Sequence, residues 1–93
     1  MRLIETTNAF KRDYKREAKG KHRLTLERDF HDIVQSLAND EPLEQRYQDH
    51  PLTGEWSDHR DCHIRPDLVL IYRKSNSDRV QLVRLGSHSQ LGL

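Results

Sequence analysis

HRDCHIRPDLVLIYRK, His59 to Lys74, is the stretch whose reading decides the fold. Its second half, LVLIYR, is apolar at both parities, so a strand there must be covered on both faces or pinned at the centre of a sheet. Its first half alternates. His59, Asp61 and His63 point one way, and Arg60, Cys62 and Ile64 the other, with Cys62 and Ile64 as the natural core pair. Pro66 and Asp67 mark a turn between the halves, and the polar run Ser75, Asn76, Ser77, Asp78 marks the next. Three strands follow from this: about His59 to Ile64, Leu68 to Lys74, and Val80 to Leu85.

Upstream, Glu41 to Ser57 holds Pro42, Pro51 and Gly54 without a sustained period, and reads as loop with a short extended piece near Arg46 and Tyr47. Before it, Leu26, Phe30, Ile33, Val34 and Leu37 form a helical stripe within a helix from about Arg23 to Leu37. Earlier still, Phe10, Tyr14 and Ala18 recur at helical spacing, with Thr7 or Asn8 as cap and Gly20 as stop. The chain opens with RLIETT, a short strand. The expected fold is a single α+β domain over residues 1–93, in the order β-α-α-β-β-β. Its two N-terminal helices pack as a hairpin on one face of a small antiparallel sheet, and the other face is free to bind.

Only 33% of the 93 residues are apolar and another 33% are charged, which allows one thin core. The net charge of +1 hides an uneven distribution. Basic residues outnumber acidic ones between Arg2 and Arg28, and Lys11, Arg12, Lys15 and Arg16 crowd the first helix, as suits a polyanion or an acidic partner. The lone Cys62 excludes an internal disulfide, and no apolar run is long enough for a membrane span or a signal-peptide core. The expected setting is cytoplasmic, with no membrane partner.

In an antiparallel meander both outer strands flank Leu68–Lys74, so their polar faces bound one groove. If the chain stays extended, Arg84, Gly86 and His88 share a face, and the loop with Asp49 and His50 closes one end. Imidazoles, an aspartate and an arginine in one groove suit cleavage of RNA by its own 2′-hydroxyl. A base takes the hydroxyl proton, an acid protonates the departing 5′-oxygen, and a cation stabilises the phosphorane. Such chemistry requires no metal and no cofactor. Adjacent Cys62 and His63 diverge on a strand, which weighs against a zinc site of His59, Cys62 and His63. A metal held by His50, Asp61 and His63, with or without Cys62, is the alternative, and no recognisable ligand spacing supports it. His22 and His31 lie off the apolar stripe and read as surface residues, Trp56 as a rim or core aromatic, and Asp67, taken alone, as a turn residue.

Three separated motifs, DHPLTGEW, RDCHIRPDLVLIYR and VRLGSHSQL, resemble in order and spacing the YafQ family of bacterial type II toxins, within the RelE/ParE superfamily. The resemblance runs from Asp49 to Leu91. It implies a RelE/ParE-like endoribonuclease that cuts mRNA in the ribosomal A site without metal. It also implies a dimeric antitoxin encoded alongside, through which alone operator DNA is bound. By this likeness His50, His63, Asp67 and His88 are the catalytic set. Asp67 or His50 is the general base, His88 the general acid, and His63 positions or stabilises the phosphate. Asp61 and Arg84 then contact the substrate, together with Lys11, Arg12, Lys15 and Arg16. The chain departs from the family at its end, where Gly92 and Leu93 stand in place of a usual aromatic. The alternative within this fold is a non-catalytic toxin that acts by protein binding, as gyrase poisons do.

Overall fold

A computed structural model describes residues 1–93. Five strands, β1 (Leu3–Thr6), β2 (His50–Pro51), β3 (Arg60–Arg65), β4 (Leu68–Asn76) and β5 (Arg79–Gly86), form one sheet in the order β1-β5-β4-β3-β2. The helices are α1 (Asn8–Glu17), α2 (Leu26–Ala38) and α3 (His88–Leu91). No helix is long and apolar enough to cross a membrane.

The two parities of β4 are buried on opposite faces, as LVLIYR requires. Leu68, Leu70 and Tyr72 join Cys62, Ile64, Val80, Leu82 and Leu85 beneath Phe10 of α1 and Leu26, Ile33 and Leu37 of α2. Phe30 ties the helix hairpin together, its ring 5.6 Å from Phe10 and 5.2 Å from Tyr14. Val69 and Ile71 look the other way, against Leu91 of α3 and the edges of Leu52, Trp56 and Val83.

Several local expectations change. The sheet is mixed, because β1 pairs in parallel with β5 while the other pairs are antiparallel. The first strand reaches its partner only through the crossover of both helices, which permits the parallel sense. The second face is partly occupied by α3 and the 52–56 segment. Helix α2 starts at Leu26, since the residues before it are spent on a turn in which His22 accepts from Leu26 N–H at 2.9 Å. Arg46 and Tyr47 lie in a 3₁₀ turn, and the extended piece is displaced to His50–Pro51 by Gln48, whose φ of 51° reverses the chain.

Candidate active site

Strand register assembles the cluster. His50 sits directly across from Asp61, and Pro51 across from Arg60. In an antiparallel pair such opposed side chains share a face, so His50 and Asp61 become neighbours although eleven positions apart in the chain. His63, two residues beyond Asp61 on β3, lies on the same face. His88 arrives by another route. The extended course ends at Gly86, and Ser87 caps α3, its Oγ accepting from Gln90 N–H at 3.2 Å while Gln90 Oε1 accepts from Ser87 N–H at 2.9 Å. That turn places the His88 ring 4.9 Å from His63, and His63 is 6.3 Å from His50. A cleft of about 560 Å³ opens beside them, lined by His50, Asp61 and His88 and by the apolar Leu52, Trp56 and Leu91.

The protons follow from the hydrogen bonds. His50 Nδ1 is 2.7 Å from the Gln48 carbonyl, which can only accept. Nδ1 therefore carries the proton of the neutral ring and Nε2 is left as an acceptor. Asp61 Oδ1 lies 3.0 Å from the same Nδ1, but with that proton given to Gln48 it is buried without a donor. Burial pushes the Asp61 carboxyl above its ordinary range, against the pull of His50, His63 and His88. Burial likewise holds the His63 imidazole below its ordinary value, helped by the two other imidazoles and opposed by Asp61.

Asp67 is not brought into this cluster. It meets Lys21 and, at 2.8 Å, His22 in the connection between α1 and α2. The Lys21 hydrogen bond, aided by His22, holds its carboxyl down to about 2. A depressed folded value means a stabilising contribution present above the ordinary 3.8 and lost as pH falls through about 2. Asp67→Asn is accordingly expected to be slightly less stable than the wild type at pH 7, by under about 1 kcal/mol for so exposed a pair. Denaturant melts should show the gap closing near pH 2, and a gap independent of pH would disprove the ion-pair account.

Arg84 pairs in register with Ile71, but its guanidinium turns to Asp13, with Nε 2.6 Å from Oδ2. Arg16 is engaged by Asp13 at 3.0 Å and Glu17 at 2.8 Å. Lys11, Arg12 and Lys15 are exposed on α1 and make no ion pair with this chain's own carboxylates. Cys62 is buried on the helix face, its thiol pushed up by desolvation, so it diverges from the histidines. No three His, Cys, Asp or Glu side chains are spaced to share a metal ion.

Sequence reasoning named Asp49 only as part of the loop that closes the groove, without its anchoring role, and missed Asp13. Asp49 accepts from Tyr72 Oη and from Arg60 at 3.2 and 3.3 Å, anchoring the residue before His50 on the helix face. A carboxylate beside the apolar stripe at Phe10 and Tyr14 was the available signal for Asp13. The Ser-x-x-Gln spacing of Ser87 and Gln90 was the signal for α3.

Residues 2–92 match the family described as bacterial toxin of type II toxin–antitoxin system, YafQ. The YafQ protein of Haemophilus influenzae is 38% identical over 93 residues, which span 97% of this chain and 91% of that one. The mRNA interferase toxin YafQ of Escherichia coli K12 is 40% identical over 55 residues, 59% of either chain. The toxin in the crystal structure of the E. coli DinJ–YafQ complex aligns with a TM-score of 0.78 at 30% identity over 98% of both chains.

Proposed function

This chain belongs to the YafQ family of bacterial type II toxins, and from that premise we propose that it is a ribosome-dependent endoribonuclease. It cleaves mRNA in the ribosomal A site by attack of the 2′-hydroxyl on the adjacent phosphate. The observation that carries the reading is the convergence of His50, Asp61, His63 and His88, three of which, His50, Asp61 and His88, line one cleft. The relative named an mRNA interferase supports the substrate. The relative crystallised with DinJ supports a cognate antitoxin as this chain's partner.

His50 is the general base. Its Nε2 is the bare nitrogen, and when it takes the 2′-hydroxyl proton the ring becomes an imidazolium beside Asp61, whose buried carboxylate then gains its missing countercharge. The alternative base, Asp67, is too weakly basic and lies with Lys21 and His22. His88 is the general acid that protonates the leaving 5′-oxygen. His63, kept neutral by burial between the other two rings, positions the phosphate by hydrogen bonding. Lys11, Arg12 and Lys15 contact RNA backbone, which makes binding fall with added salt. Arg84 and Arg16 serve the protein's own frame, through Asp13, more than the substrate.

Mapping cuts in one mRNA with and without programmed ribosomes tests the proposal. Codon-spaced cuts that need the ribosome are expected. Growth arrest without cuts under any condition would transfer the chain to the protein-binding class.

Asp61 supplies a second check. A carboxyl raised in the folded state costs stability as pH rises past its ordinary value of 3.8, and the full cost is present above its folded value, because the unfolded chain holds the anion more easily. Asp61→Asn removes that cost. The variant is expected to melt at the wild-type denaturant concentration or higher at pH 7 and to cleave more slowly. A clear loss of stability would mark Asp61 as a structural residue instead.

A further inference from the structure

Asp13 touches no part of the cleft, yet it is only 3% exposed and fully engaged. Its Oδ2 accepts from Arg84 Nε at 2.6 Å and from the Leu85 backbone N–H at 3.0 Å. Its Oδ1 accepts from Arg16 at 3.0 Å and again from Arg84 at 3.3 Å. Arg16 in turn donates to the Leu85 carbonyl at 2.8 Å. Burial pushes the Asp13 carboxyl up, but the Arg84 hydrogen bond, the Leu85 amide and both guanidiniums outweigh it and hold the group ionised.

The place of these bonds matters. β1 pairs with β5 only as far as Leu82, so the outer edge of β5 is without a partner strand beyond that point. Thr7 satisfies the carbonyls of Leu82 and Val83, and Asp13 with Arg16 satisfies both backbone groups of Leu85. Side chains of α1 thus replace the missing strand. Immediately afterwards comes Gly86, where a Cβ would lie 2.9 Å from Arg16 Nη2 and 2.8 Å from Gln90 Oε1. Then come the Ser87 cap and His88. The missing side chain at Gly86 lets Arg16 and Gln90 approach the backbone closely between the gripped residue and the imidazole.

We propose that Asp13 is a positioning residue for His88. By holding Leu85 directly and through Arg16, it fixes where β5 ends and α3 begins, and so aims the imidazole at His63 and the cleft. This rests on the reading of His88 as general acid.

The test is a double-mutant cycle in single-turnover cleavage on programmed ribosomes at saturating toxin, using wild type, Asp13→Asn, His88→Ala and the pair. Folding is checked by thermal melting. Asp13→Asn is expected to slow cleavage by between about tenfold and a hundredfold, as small misplacements of a reacting group do. The toxin concentration for half-maximal rate should not change. Added to His88→Ala, it should cost nothing more, because there is no acid left to misplace. A wild-type rate, or a loss that multiplies with that of His88→Ala, overturns the proposal. Should Asp13→Asn fail to fold, Arg16→Met carries the same cycle, where a lost RNA contact would multiply and a lost grip would not. A readout free of activity separates this inference from the nuclease reading. The His63–His88 ring contact, followed by NMR in the free toxin, should be lost in Asp13→Asn, or in Arg16→Met if that variant replaces it. Its persistence refutes the positioning role even if the protein proves not to be a nuclease.

Discussion

His88→Ala is expected to lower the rate of mRNA cleavage on programmed ribosomes by about 10²–10⁴-fold, the range supplied by a positioned general acid or base. The departing 5′-oxygen leaves as an alkoxide unless it is protonated, so the loss falls on the chemical step. His88 is exposed at the first turn of α3, and its side chain holds no hydrogen bond that the helix needs. The folded state should therefore change by no more than about 0.5 kcal/mol. The useful measurement is a single-turnover rate set beside a denaturant melt. A large rate loss with an unchanged melt assigns the residue to chemistry, and a wild-type rate would remove the general acid from the proposed mechanism.

Leu70→Ala should have the largest effect on the fold. Leu70 is 0% exposed in the first half of β4, the central strand of the sheet, and belongs to the twelve-residue cluster that joins the sheet to both long helices. Its side chain has β3 on one flank, through Cys62, and β5 on the other, through Leu85. Neither neighbour can move in to fill the space, because each is held by its own ladder. Truncation should cost about 2–5 kcal/mol out of a total of about 5–15 kcal/mol for such a domain. Urea melts of wild type and variant give the difference directly. A cost under about 1 kcal/mol would mean that the core collapses around the gap and is looser than its burial indicates.

The general shape of the domain was legible from pattern. LVLIYR announced a strand buried on both faces, and the helical stripes at Phe10–Tyr14 and Leu26–Leu37 found the layer above it. The histidine cluster was legible only in part. Asp61 and His63 share a face because alternation on a strand is local. His50 joined them through register, which no local pattern around His50 specifies in a two-residue strand. The expectation that Arg84 and His88 share an extended strand failed because Ser87 and Gln90 close a capping box and turn the chain.

Sequence alone determined which residues can carry the chemistry and which faces they start from, since residue type and periodicity are properties of neighbouring positions. Tertiary structure decided which of those groups are free to act. Lys21 and His22 claim Asp67, and Asp13 claims Arg84 and Arg16, while His50, Asp61, His63 and His88 are left facing one another. A charged group's partner is fixed by what long-range packing brings within a few ångströms of it and by how much water that packing removes. Neither quantity is written in the spacing of a motif.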